Sequence, residues 1–135
     1  MGAWDIGPFE NDNAADFAAF LDEAEQSERG EILRRVLVAV ADSSDYLESD
    51  EGAEAVAAAA LIAAQLPGGT AVSVAYGPKK PLPPFAPDLR ELAAAALGRV
   101  LGADSELAEL WDETEYGEPW RSDLAALLAV LTARP

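Results

Sequence analysis

The chain has 135 residues, half of them apolar, with 9 basic side chains against 25 acidic ones and a formal net charge of -16. At this length one core is the expectation, and that much apolar area excludes a disordered chain despite the charge. There is no cysteine and no histidine, which excludes disulfides, thiolate chemistry, imidazole-based triads and the usual zinc and Glu-x-x-His metal sites, and fits a reducing compartment.

Residues 1–10 hold two glycines, a proline, Trp4 and Phe9 without a helical period, so an irregular segment anchored by those two aromatics is expected. Asn11-Asp12-Asn13 supply cap-type side chains, a better use for them than ligand binding. Phe17, Phe20, Leu21 and Ala24 follow at i, i+3, i+4, i+7, which predicts a first amphipathic helix to about Gln26. After Ser27 the stripe Ile32, Leu33, Val36, Leu37 and Val40 predicts a second helix, because its spacing is helical although its β-branched members also suit a strand. Residues 42–54 read as an acidic connection, solvated and mobile. They feed an alanine-rich helix to about Leu66, ended by Pro67-Gly68-Gly69. Small side chains on every face put that helix, from about Ala53, at the centre of the fold.

Residues 71–76 suit a short extended piece. Residues 77–87 contain Pro78, Pro81, Pro83, Pro84 and Pro87 and predict a stiff connector inside a single domain spanning residues 1–135. Pro87-Asp88 opens a fourth helix with Leu89, Leu92, Ala93, Ala96, Leu97, Val100 and Leu101 on one face, stopping near Gly102. Ser105 caps a fifth helix carrying Leu107, Leu110 and Trp111, and Ser122-Asp123 lie near the start of a last one with Leu124, Leu127, Leu128 and Leu131. The fold class expected is therefore all-α, one compact domain of about six helices, with Trp4, Phe9, Trp111 and Trp120 as structural anchors. The longest apolar run, residues 55–64, is about half the ~20 residues that span a bilayer. No secretory pattern opens the sequence, and Ile6 stands where a myristoylation signal needs Ser or Thr, so a cytoplasmic protein without membrane attachment is expected.

The charge is unevenly spread: residues 1–54 hold 15 acids and 3 bases (net -12), residues 55–90 hold 1 and 3 (net +2), and residues 91–135 hold 9 and 3 (net -6). Such a surface repels nucleic-acid phosphates and argues against direct DNA or RNA binding. Asp42, Asp45, Glu48, Asp50 and Glu51 are the candidate acidic interaction surface. A calcium loop begun at Asp42 fails, because Leu47 and Ala53 stand where it needs glycine and glutamate. Glu106, Glu109, Asp112 and Glu113 at i, i+3, i+6, i+7 read as the wet side of a helix that buries Trp111, since no second ligand set accompanies them. Lys79-Lys80 among prolines is a weak recognition signal. No catalytic, cofactor-binding or metal residue emerges. The expected function is a non-enzymatic protein-binding module for a basic partner, with no cofactor; a carboxylate-based divalent-cation or small-ligand domain and a structural, self-associating domain are the alternatives.

The opening Met1-Gly2-x-Trp4-x-x-Gly7-x-Phe9-x-Asn11-Asp12-x-Ala14-x-Asp16-Phe17 resembles the N-terminal signature of a bacterial family of small proteins catalogued as a domain of unknown function. Residues 104–113 (Asp-Ser-Glu-Leu-Ala-Glu-Leu-Trp-Asp-Glu), followed by Trp120, are similar to its second signature, and Tyr46-Leu47-Glu48 to its middle. Asp5 and Ala60 depart from the family, which usually has glycine at the first position and often glutamate at the second. The resemblance implies a single, largely helical bacterial domain and carries no activity or cofactor across.

Overall fold

A helix built from alanine lets neighbours approach it from every side, and among the described residues one such helix packs against five others. The computed structural model describes residues 12–69 and 85–133. They form α1 (Asp12–Glu23), α2 (Gln26–Ala41), α3 (Ser49–Ala63), α4 (Asp88–Leu101), α5 (Glu106–Asp112) and α6 (Gly117–Thr132). Among the described residues there is no strand, only an isolated parallel bridge between Leu47 and Ser105. The all-α expectation holds. Helix α3 packs against each of the other five, and Ala53 together with all of residues 55–63 is buried. Its end follows the expected signal, with Gly68 in the left-handed region at φ 85°, where a Cβ would be strained. Leu33, Leu37 and Val40 of α2 and Leu89, Ala93, Ala96, Leu97 and Val100 of α4 close the core around it.

Four features differ from the sequence reading. Phe20 is 57 % exposed, because α1 buries the stripe Ala14, Phe17, Ala18 and Leu21, and residue 20 falls to one side of it. The acidic connection is shorter than expected, since Ser49 to Glu54 already belong to α3. Asp50 and Glu51 lie in its first turn, where the positive end of the helix dipole favours carboxylates. Helix α6 begins at Gly117 rather than near Ser122: Pro119 lies in the first turn, whose N–H groups have no intrahelical acceptor to lose. A Cβ on Gly117 would sit 2.8 Å from the Trp111 carbonyl oxygen, so glycine is what lets α6 start hard against the end of α5.

The fourth is Arg29, a charged side chain in the core that no apolar period announces. Its Nε donates to the Leu21 carbonyl at 2.9 Å and its Nη2 to the Ala24 carbonyl at 2.9 Å. The guanidinium thus satisfies carbonyls at the C-terminal end of α1, the end whose partial charge attracts cations. Helix α1 stops at Glu23, short of the expected Gln26, and the turn into α2 is folded over this side chain.

Candidate functional site

The α2–α3 and α4–α5 connections are far apart in sequence and meet at one end of α3. The Leu47 N–H donates to the Asp104 carbonyl at 2.8 Å, and the Glu106 N–H donates to the Leu47 carbonyl at 2.9 Å. Glu48, the residue before α3, makes no side-chain cap. The Ser49 N–H instead donates to Glu106 Oε1 at 2.8 Å, so a carboxylate from α5 serves the helix start that its own chain leaves open. Ser105 caps α5 as expected, its hydroxyl accepting from the Ala108 N–H. Leu47 and Ser105 are buried between the two connections, while Asp104 takes a left-handed φ of 57°, a region that aspartate tolerates better than most residues.

Arg99 lies inside this junction. Its Nε donates to the Ser43 carbonyl at 3.2 Å and its Nη2 to the Asp45 carbonyl at 2.6 Å. Nη1 and Nη2 also reach the Ala103 and Asp104 carbonyls at 3.0 and 3.3 Å. One guanidinium therefore holds both connections by their backbones, which is why the acidic stretch after α2 has a defined path despite a composition typical of a mobile loop. Tyr46 is exposed, and the Glu109 carboxylate, with the surrounding negative charge, pushes its phenol up to about 12.

All five candidate interaction residues, Asp42, Asp45, Glu48, Asp50 and Glu51, are exposed. The carboxylates of Glu48, Asp50 and Glu51 offer oxygens within 4.8 Å of one another. Glu109 is exposed on the wet side of α5 and Glu113 is exposed just past its end, but Asp112 is engaged: Arg121 holds it through two hydrogen bonds, at 2.9 and 2.7 Å. The Arg121 guanidinium keeps the Asp112 carboxyl below the usual carboxylate range, as Arg34 does for Asp88. Arg34 binds Asp88 through both Nη atoms, and Arg90 donates to the Leu131 carbonyl near the end of α6. Of the six described arginines, Arg29, Arg34, Arg90, Arg99 and Arg121 thus have carbonyl or carboxylate partners within the chain. Helix-period reasoning could not see these roles, because a guanidinium reaching across sequence-distant segments leaves no local pattern.

Trp111 and Trp120 stack with centroids 6.1 Å apart and planes 15° from parallel. Both are buried. Trp4 and Phe9 lie outside the described residues, as do Lys79, Lys80 and residues 77–84 of the proline-rich connector.

Glu54 gives the acidic end of α3 a pH dependence of a particular sign. Burial raises its carboxyl above the ordinary glutamate range, and Asp50 and Glu51 one turn earlier raise it further. Because the folded state holds that proton more tightly than the unfolded chain, the ionised group opposes folding at neutral pH, and the penalty disappears as pH falls through the raised pKa. Glu54→Gln should therefore stabilise the protein at pH 7 by about 0.5 kcal/mol or less, a half-exposed group being screened by water. The gain should shrink on acidification. Denaturant titrations of parent and variant at several pH values check this; a variant less stable at pH 7 contradicts it. The Asp88 and Asp112 ion pairs have the opposite sign, present above the unfolded pKa and lost as pH falls through the lowered one.

The class defined by these observations is an all-α domain with an alanine helix at its centre and an arginine-tied, carboxylate-bearing junction at one end of it. The model of the family described as Domain of unknown function (DUF4259) matches residues 2–123, and the chain belongs to that family. No curated protein matches the chain, and no solved structure does. No helix among the described residues is long and apolar enough to cross a membrane.

Proposed function

We propose that the chain is a non-enzymatic protein-binding module, acting in a bacterial cytoplasm, that engages a basic protein through its acidic end. The carrying observation is a separation of charge: Asp42, Asp45, Glu48, Asp50 and Glu51 all face solvent, while five arginines are tied to partners inside the chain. The exposed carboxylates outnumber the one guanidinium that lies among them, that of Arg99, and they sit on a junction held in place before a partner arrives. Opposite charge steers a basic partner to such a surface, and fixed geometry lowers the ordering cost of binding. An inhibitor, an immunity protein or a mimic of nucleic-acid charge would have this character.

The expected result of a pull-down from native cytoplasm at low salt is specific recovery of one basic protein. Recovery should be lost at ~0.5 M salt, where the Debye length falls to about 4 Å, and lost when the five carboxylates are neutralised together. Recovery of abundant basic proteins alone, equally by parent and neutralised variant, overturns the reading. The close approach of the Glu48, Asp50 and Glu51 carboxylates favours a second one, a divalent-cation site. A thermal-shift screen with magnesium, manganese and calcium separates the two: stabilisation near micromolar metal that Glu51→Gln abolishes favours the cation.

A further inference from the structure

We propose that Arg99 is the hub of a latch that joins the α2–α3 connection to the α4–α5 connection, so that the two segments open and close as one unit without unfolding the helices beneath them. The chain on either side of this junction repels itself. Asp42, Asp45 and Glu48 lie on one connection, with Asp50 and Glu51 in the first turn of α3 after it, and Asp104 lies on the other, with Glu106 and Glu109 in α5. Holding them together requires a cation or a set of directional bonds, and Arg99 supplies both. It donates to Ser43 and Asp45 on the first segment and to Ala103 and Asp104 on the second.

Three further hydrogen bonds depend on that register. Leu47 N–H to Asp104 and Glu106 N–H to Leu47 form the backbone bridge, and Ser49 N–H to Glu106 Oε1 links the start of α3 to α5. The carbonyls that Arg99 holds adjoin this bridge, and Asp104 is shared by both: its carbonyl accepts from Leu47 N–H and from Arg99 Nη2. Releasing the guanidinium frees the Asp104 carbonyl to turn away, and with it the residue that the left-handed φ had aimed. The bridge and the Ser49 bond then lose their alignment together, which is what makes the unit cooperative. The cores of α3 and α4 are secured separately, by buried alanine, leucine and valine contacts.

Native-state hydrogen exchange on the free protein tests the latch and needs no binding partner, so its outcome is independent of the proposed function. In the parent, the amides of Leu47, Ser49 and Glu106 should exchange through one opening, with a common protection factor and a weak dependence on denaturant. Arg99→Gln should accelerate all three by about the same factor, roughly tenfold or more for the loss of several hydrogen bonds. The amides of Ala59 and Ala96 should stay more protected than the junction in parent and variant and keep a strong dependence on denaturant, the mark of a separate, larger opening. Arg99→Lys, which retains the charge with a single nitrogen, should fall between parent and Gln. Glu106→Ala removes the acceptor of the Ser49 N–H, leaves Arg99 in place and should still speed exchange at Leu47 as well as Ser49, which keeps the idea testable if Arg99→Gln fails to fold. Unequal protection at the three amides in the parent, a response to Glu106→Ala at Ser49 alone, or Ala59 and Ala96 sharing the junction's protection factor and weak denaturant dependence would each overturn the proposal.

Discussion

Replacing Trp120 by alanine is expected to destabilise the protein by about 3–5 kcal/mol, the cost of deleting a buried aromatic whose site cannot collapse fully. Trp120 is 2 % exposed, and it stacks on Trp111 across the α5–α6 turn. Its neighbourhood has little freedom to relax. Gly117 already brings the start of α6 against the Trp111 carbonyl, and Arg121 fastens the outside of the same turn to Asp112 and to the Leu101 carbonyl. Removing the indole therefore leaves a void under a closed lid of backbone rather than a surface dent. For a domain of ordinary stability, ~5–15 kcal/mol, the loss takes up a large part of the margin. It should lower the melting temperature by roughly 10 °C or more, at a few degrees per kcal/mol for a chain of this size. Urea and thermal unfolding followed by far-ultraviolet circular dichroism measure it. A variant as stable as the parent would mean that the stacked pair contributes little and that α5 and α6 are held by their arginine contacts instead.

What the sequence made legible follows from which interactions are local. The α4 stripe, the Pro87-Asp88 opening and the Ser105 cap are encoded within a few residues, and each stands where the spacing put it. The central position of α3 was legible for a different reason: alanine on all faces leaves no preferred solvent side. Phe20 failed because an i+3 partner of Phe17 fits the helical period equally well whether or not the neighbouring helix covers it. The α6 start failed because Ser122-Asp123 look like a cap, whereas the helix already begins at Gly117 with Pro119 in a first turn that accepts proline.

The candidate site was legible by composition but not by geometry. Asp42, Asp45, Glu48, Asp50 and Glu51 were identifiable as a charged, solvent-facing run, and all are exposed. That residues 43–49 are held in place, however, depends on Arg99 from α4 and Glu106 from α5, which lie more than fifty residues away in the chain. No window of sequence contains both ends of that contact. Arg29 belongs to the same category at shorter range, its partners being carbonyls, which every residue possesses and no pattern marks.

Adding volume to the central helix is the second large effect expected. Ala58→Leu and Ala59→Leu should each cost about 1–3 kcal/mol, the usual penalty for forcing methylenes into a packed core. Both residues are fully buried, and successive helix positions point about 100° apart, so the two variants probe two different neighbours of α3. Leucine is close to alanine in helix propensity, so a loss of stability reports crowding rather than a weakened helix. The hydrophobic gain of the larger side chain cannot offset it, because the space it would fill is already occupied by the helices that pack on α3, and either they move apart or the leucine leaves its preferred rotamer. Separation of the helices would also disturb the α3–α5 contact at Gly52, where a Cβ would already stand 3.3 Å from Leu107 Cβ. Thermal denaturation of both variants beside the parent decides the matter. If neither melts earlier, α3 has open space on both faces and its place at the centre of the domain is wrong.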